Sequence, residues 1–374
     1  MVTDIAPPKF ALLLASVILA AFSSIPPVRA QQPVAVNKGI VELETAGSDG
    51  ISVRIAEDLA HLIDDGATRR VIPLVGKGSL QNITDLKYLR GVDIAIVQAD
   101  ILEYAKEQRY YPGMEASLTY ITKLFNEELH ILARAEVKSL SDLAGQKVNF
   151  DVLNSGTAIT TARVFDLLKL RVAPTYDAQQ IALAKLRRGE IAALAFVAGK
   201  PTPLFTSLPE AEGLHFITVP FTLSGNAPYS PTRLTSVDYP SLVAPNQPVD
   251  TIAVGSILLA ADLRMVPERY NNVANFVEVF FNSFQSLLAP GNHPKWNEVN
   301  LAAELPGWRR YAPAEQWLQR NSQVAGIKDP DKLKAMFSSF IDERRQATGG
   351  APMTEAEKNA LFQQFQSWRG GSER

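Results

Sequence analysis

The sequence predicts an α/β fold divided into two lobes, and three observations lead to this prediction. Short apolar runs alternate with amphipathic helical stretches, a pattern typical of parallel strands joined by helices. A unit of strand, polar glycine-containing turn and helix occurs twice, at Gly47–Gly50 and at Asn154–Thr157. The length of 374 residues corresponds to two domains, at about 150 residues per domain.

The N-terminus has the features of a secretory signal peptide. Lys9 precedes an apolar run (10–21), which is followed by a Pro-Pro pair and a small-residue sequence that ends at Ala30. The apolar run is shorter than the ~20 residues that a membrane-spanning helix needs. We therefore expect residues 1–30 to be a signal peptide that is cleaved after Ala30, and the mature protein to be periplasmic.

Charge and cysteine content exclude several classes of function. The net charge is −2, and it becomes −3 when residues 1–30 are removed. A mildly acidic chain without clustered lysine and arginine lacks the electrostatic footprint of a nucleic-acid-binding protein. The chain has no cysteine, which excludes disulfides, thiol catalysis and thiolate metal sites. A small-molecule partner is the expectation that remains.

The strands are predicted from short runs rich in β-branched and aliphatic residues. Several of these runs are apolar throughout, as strands covered on both faces require. They are 41–47, 70–76, 93–98, 129–134, 147–152, 191–199, 214–219 and 251–258.

The helix after each polar turn is predicted from apolar residues at helical spacing. The stripes are Ile51, Ile55, Leu59 and Leu62 in the first helix, and Ala158, Ala162, Phe165 and Leu168 in the second. A helix N-terminus exposes unpaired backbone N–H groups that attract anions. Open α/β sheets bind ligands at this edge, so two such turns predict a cleft between the lobes.

Beyond about residue 260 the pattern becomes entirely helical. Residues 276–288 are strongly apolar, and all four tryptophans lie after them. Two short amphipathic segments, 333–340 and 361–368, close the chain, and Thr354 with Glu357 forms a capping box for the second. The sequence leaves open whether this region covers a lobe, forms a dimer or contacts a membrane partner.

Catalytic and metal-binding signatures are absent from the sequence. It has no G-x-S-x-G, H-E-x-x-H, G-x-G-x-x-G or complete phosphate-loop motif. The fragment 76–79 is either a plain turn or a set of backbone donors for a ligand. The histidines are far apart in sequence, so they predict structural roles and no metal site. Ser155 has the setting of a nucleophile, but N-capping explains it better.

Six segments in sequence order resemble the TAXI family, the solute receptors of tripartite, ion-driven (TRAP) transporters. The resemblance covers most of the chain up to about residue 290, and residues 293–318 look like the C-terminal part of longer members. The six segments are TAGSDGISVRIAEDLA (45–60), VGKGSLQNITDLKYLRGVDIAIVQAD (75–100), EELHILARAEVKSLSDLAGQKVNF (127–150), NSGTAITTARVFDLL (154–168), KLRRGEIAALAFVAGKP (185–201) and DYPSLVAPNQPVDTIAV (238–254).

The resemblance implies a type II periplasmic-binding-protein fold with a helical C-terminal extension. It implies lobe 1 in residues 31–137 and 241–290, lobe 2 in 138–240, and the extension in 291–374. It implies ligand-binding residues, carried over by position, at Gly47, Ser48, Asp49, Gly50, Gly78, Ser79, Gln98, Ser155, Gly156, Thr157, Gly199 and Lys200, with Asp100 at the edge of the cleft. Many members have aromatic residues where this chain has Ile51, Ser52 and Val53, so one wall of the pocket differs.

The family implies that a small organic acid or amino acid is captured without catalysis and delivered to the membrane permease subunits of a TRAP transporter. Such a protein needs no cofactor. A carboxylate ligand would require the two turn–helix N-termini together with Lys200 or Lys77. Three other hypotheses remain: a receptor for an ATP-driven (ABC) importer or a sensor kinase, a periplasmic enzyme using Ser155 or Asp100, and an envelope scaffold without a ligand.

Overall fold

The structure, a computed structural model, describes residues 39–47, 50–209, 213–221 and 228–325, together with Thr354 and Lys358. Within this part of the chain, ten strands form one sheet. In chain order they are β1 (Ile40–Thr45), β2 (Arg70–Val75), β3 (Ile94–Gln98), β4 (Leu118–Ala133), β5 (Lys147–Asn149), β6 (Ala173–Thr175), β7 (Ala193–Ala198), β8 (His215–Phe216), β9 (Tyr229–Leu234) and β10 (Val249–Ala261).

Helices connect and cover the strands, as the alternating sequence pattern predicts. Two short 3-10 helices lie at Leu140–Leu143 and Pro294–Glu298. The α-helices are α1 (Ser52–Ile63), α2 (Ser79–Tyr88), α3 (Ala99–Glu107), α4 (Met114–Ser117), α5 (Gly156–Leu167), α6 (Gln179–Arg187), α7 (Pro203–Thr206), α8 (Pro267–Asn282), α9 (Phe284–Leu287) and α10 (Ala312–Ala325).

The sheet consists of two parallel parts joined by two crossing strands. The strand order is β2-β1-β3-β10-β4-β7-β5-β6, with β9 paired to β10 and β8 paired to β4. Neighbours are parallel among β1, β2 and β3, which belong to lobe 1, and among β5, β6 and β7, which belong to lobe 2. This topology confirms the predicted type II periplasmic-binding-protein fold.

The crossing strands β4 and β10 run antiparallel to each other and pass from one lobe to the other. The second half of β10 pairs with β3, where Ser256 lies opposite Gln98, and its first half pairs with β9. The second half of β4 pairs with β7, where Glu128 lies opposite Ala198. The middle of β4 therefore lies at the hinge between the lobes.

Each lobe has its own hydrophobic core. Lobe 1 buries Leu43 of β1 together with Ile55 and Leu59 of α1, as the helical stripe predicts. In lobe 2 the residues of β7 alternate between two clusters on opposite faces of the sheet, Val197 in one and Phe196 in the other. Each fully buried aliphatic or aromatic side chain contributes about 1.5–3 kcal/mol to stability.

Every predicted strand overlaps an observed one, but three stretches were missed and two predicted strands are shorter. β5 ends at Asn149 and β8 spans two residues. The missed β6 and β9 contain Pro174 and Pro231, and proline is confined to sheet edges, where the strand pattern is weak. The first half of β4 was missed because Lys123 and Glu127 interrupt its apolar run.

The described part of the region after residue 290 packs on lobe 1. Trp296, Trp308 and Tyr311 join the lobe 1 core, and Tyr311 N donates to Tyr120 O of β4 over 2.7 Å. Up to residue 325 this region therefore covers one lobe. The predicted amphipathic segments 333–340 and 361–368 lie outside the described residues.

Candidate functional site

A cavity of about 520 Å³ lies between the two lobes, at the edge where the sequence predicts a ligand. It is lined by the carboxyl ends of β1, β2, β3 and β7 and by the first residues of α1, α2, α5 and α6. The middle of β4 closes its floor at the hinge through Glu127. Parallel strands and helix starts from both lobes thus converge on one site.

Most of the predicted site residues that the structure describes line this cavity. Ser48 and Asp49 lie outside the described residues. Asp100, Gly199 and Lys200 are not among the lining residues. Those that line it are Gly47, Gly50, Lys77, Gly78, Ser79, Gln98, Ser155, Gly156 and Thr157.

The turn before α2 requires glycine at two positions. Gly78 has a φ of +121°, a conformation that residues with a side chain rarely adopt. A Cβ on Gly76 would lie 2.6 Å from Thr45 O and from Asn82 Oδ1. Asn82 Nδ2 donates to Thr45 O and Ile96 O, over 3.2 and 3.0 Å, and so holds the turn against the ends of β1 and β3.

The helix starts of the two lobes touch across the cleft. A Cβ on Gly78 of lobe 1 would lie 3.4 Å from the backbone nitrogen of Gly156 in lobe 2. A Cβ on Gly156 would lie 1.8 Å from Gln98 Oε1 of lobe 1. The cleft is therefore closed in this structure, and the contact of Gly156 with Gln98 requires a residue without a side chain at position 156.

Hydroxyl groups at the start of α5 hold the lobe 2 wall in place. Ser155 Oγ accepts a hydrogen bond from Ala158 N over 3.1 Å, which is the N-cap that the sequence favours. Thr157 Oγ1 accepts from Val197 N over 3.1 Å and so joins α5 to β7. No hydrogen bond joins Ser155 to a side-chain base in the described part of the chain. The nucleophile hypothesis therefore has no support from geometry.

Gln98 at the end of β3 connects the cleft walls to the hinge. Its backbone N–H donates to Ser79 Oγ over 3.0 Å, and Ser79 Oγ donates to Gln98 Oε1 over 3.4 Å. Gln98 Nε2 donates to Glu127 Oε2 of β4. The amide oxygen thus faces Gly156, and the amide nitrogen faces a carboxylate.

Glu127 is the buried ionisable group of the cavity lining, and it is not among the predicted site residues. Only 8% of its surface is exposed, and burial raises its pKa from the usual 4.5 to about 7. The hydrogen bond from Gln98 and the nearby hydroxyl of Ser256 favour the ionised form, so they partly oppose the effect of burial on the pKa. The sequence signal that could have identified it is the acidic pair Glu127–Glu128 within an apolar run.

The lysines do not provide the expected buried positive charge. Lys200 Nζ pairs with Asp238 Oδ2 over 3.0 Å and also donates to Arg233 O, so its charge is held by lobe 2 outside the cavity lining. Lys77 lines the cavity with an exposed side chain. Gly199 packs against Ile51 instead of lining the cavity, since a Cβ there would lie 2.3 Å from the Ile51 side chain.

Asp100 joins the lobes behind the cavity. Its Oδ2 accepts from Thr160 Oγ1 of α5 over 2.7 Å and from the Tyr229 hydroxyl over 3.0 Å. Complete burial raises its pKa, although both hydrogen bonds oppose this shift. Nearby, Arg163 of α5 pairs with Glu107 of α3 over 2.6 Å. Asp100 therefore lies in an interlobe contact rather than at the cavity edge that the sequence suggests.

His130 has a structural role, as the sequence predicts. It is completely buried among Phe205, Phe216 and Tyr239. Its Nδ1 bonds to Phe196 O over 3.2 Å, and its Nε2 bonds to the Tyr239 hydroxyl over 2.8 Å. Burial lowers its pKa to about 3, so the ring is neutral.

Three solved structures illustrate the likeness to known proteins. The periplasmic binding protein BugD is 12% identical, with a TM-score of 0.45 over 76% of this chain and 97% of that one. The alkanesulfonate-binding protein SsuA from Xanthomonas axonopodis pv. citri is 13% identical, with a TM-score of 0.43 over 78% and 93%. The aliphatic sulphonate binding protein SsuA from Escherichia coli is 17% identical, with a TM-score of 0.39 over 87% and 90%.

In the described part of the chain, no helix is both long enough and apolar enough to cross a membrane.

A family profile gives a more specific match. The profile of the NMT1-like family matches residues 43–268, which is more than half of the chain. The matched span includes the cleft and both crossing strands. The chain therefore belongs to the NMT1-like family.

Proposed function

We propose that this protein is the periplasmic solute-binding subunit of a TRAP-type transporter. The observation that carries the proposal is the cavity of about 520 Å³ at the hinge, enclosed by helix starts from both lobes. Pockets of a few hundred cubic ångströms accommodate small organic molecules. The ligand is an organic acid or an amino acid, whose carboxylate meets the backbone N–H groups of the helix starts and Lys77 at the exposed side.

Ligand capture proceeds by hinge closure. The lobes separate by bending of β4 and β10, the ligand enters, and contacts such as Gly78 against Gly156 form again as the cleft closes. The apparent affinity depends on the fraction of closed protein as well as on ligand contacts. No catalytic step is proposed, because the Ser155 hydroxyl already serves as a helix cap.

A thermal-shift screen of residues 31–374 tests ligand binding. The protein is unfolded and refolded to remove any bound compound, and is then heated with amino acids, dicarboxylates, keto acids and aromatic acids. A ligand that binds only the native state adds about 2.7 kcal/mol at 100 times its Kd, so the Tm rises saturably. A folded protein that none of these compounds stabilises would count against the receptor function.

The partner and the location have separate tests. We expect solute uptake by cells that carry the permease to depend on an ion gradient and to survive ATP depletion. Loss of uptake on ATP depletion would favour the importer alternative. For the location, the periplasmic fraction should contain a chain that begins at Gln31, as determined by intact mass. A chain that keeps residues 1–30 would contradict the proposed cleavage.

A further inference from the structure

We propose that Glu127 selects ligands that carry a positively charged nitrogen, an ammonium, amidinium or guanidinium group, by accepting a hydrogen bond from it inside the cleft. The inference rests on the receptor function proposed above and adds a substrate class to it. Organic acids without a positively charged nitrogen are then expected to bind weakly.

Glu127 occupies a position that a ligand in the cleft can reach. It lies in the middle of β4, at the hinge, and lines the floor of the cavity. Because Glu127 lies between the lobes, a ligand that binds to it also contacts the walls of both lobes when the cleft closes. The side chain is fixed from one side only, by Gln98 Nε2 at Oε2.

The carboxylate of Glu127 has unused hydrogen-bonding capacity on the side of the cavity. Oε1 accepts no hydrogen bond from a described residue, and it is not one of the fully buried side-chain atoms that lack a partner, so it is accessible from the cavity. Ser256 Oγ is fully buried and has no hydrogen-bond partner in the described part of the chain, although its hydroxyl lies close enough to favour the ionised carboxylate. A donor on the ligand can therefore reach Oε1 from the cavity.

No described cation pairs with Glu127. Lys295 contributes positive charge at Glu127, but its Nζ bonds to Glu128 and Glu298 instead. Asp100 on α3 adds negative charge, while Gln98 and Ser256 from the neighbouring strands are neutral. A buried carboxylate without a counter-ion is unfavourable, and a cationic ligand group would neutralise it.

Recognition of an anionic ligand by protonated Glu127 and recognition of a cationic ligand by ionised Glu127 have opposite pH dependences. If the carboxyl group were protonated and donated to an anionic ligand, binding would weaken as the pH rises through its pKa of about 7. If the ionised form accepts from a cation, binding strengthens over the same range. Between pH 6 and pH 8 the ionised fraction rises roughly tenfold, and Kd should fall by the same factor.

Matched probe pairs test the assignment by thermal shift and calorimetry at pH 6 and pH 8. The pairs are glutamate with glutarate, 4-aminobutyrate with butyrate, and benzamidine with benzamide. We expect the nitrogen cation of at least one pair to bind and its partner to bind at least tenfold more weakly. We also expect Kd to be about tenfold lower at pH 8, and E127Q to lose at least tenfold in affinity.

The control is E115Q, which makes the same chemical change at a partly exposed glutamate outside the cavity. It should bind as the wild type does. If glutarate, butyrate or benzamide binds as tightly as the matched nitrogen-containing probe, and E127Q binds both with unchanged affinity, the proposed role of Glu127 is wrong. The receptor function would not be affected by that result. If no compound from either set stabilises a folded protein, both proposals fail. The pH dependence of the wild type decides the question even if E127Q does not fold.

Discussion

Glu127 and Glu128 are neighbours on β4, yet the strand places them in opposite surroundings. Successive side chains of a strand point to opposite faces. Glu127 faces the cavity, where it accepts one hydrogen bond, from Gln98. Glu128 accepts from Lys295 Nζ over 2.6 Å and from Lys200 N over 3.0 Å. Burial raises both pKa values to about 7, so burial alone does not distinguish the two residues.

The two carboxylates differ in which groups supply their hydrogen-bond donors and their counter-ion. Glu128 is satisfied by the protein, because the 3-10 helix after residue 290 delivers Lys295 to the back of the hinge. The same helix is fixed to α1 of lobe 1, where Trp296 Nε1 donates to Asp58 Oδ2 over 2.9 Å. Glu127 is left for a group that enters the cleft. The hinge therefore has a structural face and a binding face.

The largest expected effect comes from breaking the structural face. Lys295→Met leaves Glu128 buried without a counter-ion, and the loss of one partner of a buried pair costs about 3–5 kcal/mol. The free energy of unfolding, measured by urea denaturation, should fall by that amount. The double variant Lys295→Met with Glu128→Leu should recover most of the loss. A single variant within about 1 kcal/mol of the wild type would show that the pair is not an important contact.

The pH dependence of stability tests the binding face when the wild type is compared with E127Q. The pKa of Glu127 is raised in the folded state, so between about pH 4.5 and pH 7 the unfolded state releases a proton that the folded state keeps. The free energy of unfolding therefore decreases over this range, by about 3 kcal/mol for this group.

E127Q removes this contribution, because its amide does not ionise. Relative to the wild type, the variant should gain stability as the pH rises from 4.5 to 7, and the difference should then level off. Thermal unfolding in a series of buffers measures it. A difference that is constant with pH would mean that Glu127 titrates normally.

A smaller effect is expected at the contact between the cleft walls. Gly78→Ala places a side chain at a φ of +121°, which costs about 1–3 kcal/mol, and the new Cβ would approach the Gly156 nitrogen to 3.4 Å. Gly113→Ala is the matched control, since Gly113 has a φ of +70° with no atom near the new Cβ. We expect both variants to lose stability, and ligand affinity to fall only for Gly78→Ala. Equal affinities would show that the wall contact is not part of binding.

The sequence predicted the parts of the fold and site that depend on local patterns. Turns such as Gly76–Ser79, and the Ser155 cap of α5, are encoded within a few residues, and both were placed correctly. What failed depends on distant partners. Lys200 was expected to bind a ligand, but Asp238, 38 positions later, holds it. Glu127 was overlooked because its surroundings come from distant segments: β10 pairs with β4, and Gln98 of β3 donates its one hydrogen bond.

Closure of the lobes around a ligand can be tested with an engineered crosslink between the two cleft walls. The chain has no cysteine, and a Cβ on Gly78 would lie 3.9 Å from Ser155 Cβ, within the ~3.5–4.5 Å range of disulfides. The variant Gly78→Cys with Ser155→Cys can therefore be locked closed by oxidation and released by reduction. Its radius of gyration is measured by small-angle X-ray scattering after refolding without ligand.

We expect the reduced, ligand-free variant to have a larger radius of gyration than the oxidised variant. A compound that raises its Tm should return the reduced variant to the radius of the locked form. If oxidised and reduced protein have the same radius both with and without the compound, the lobes do not open, and capture by hinge closure is wrong.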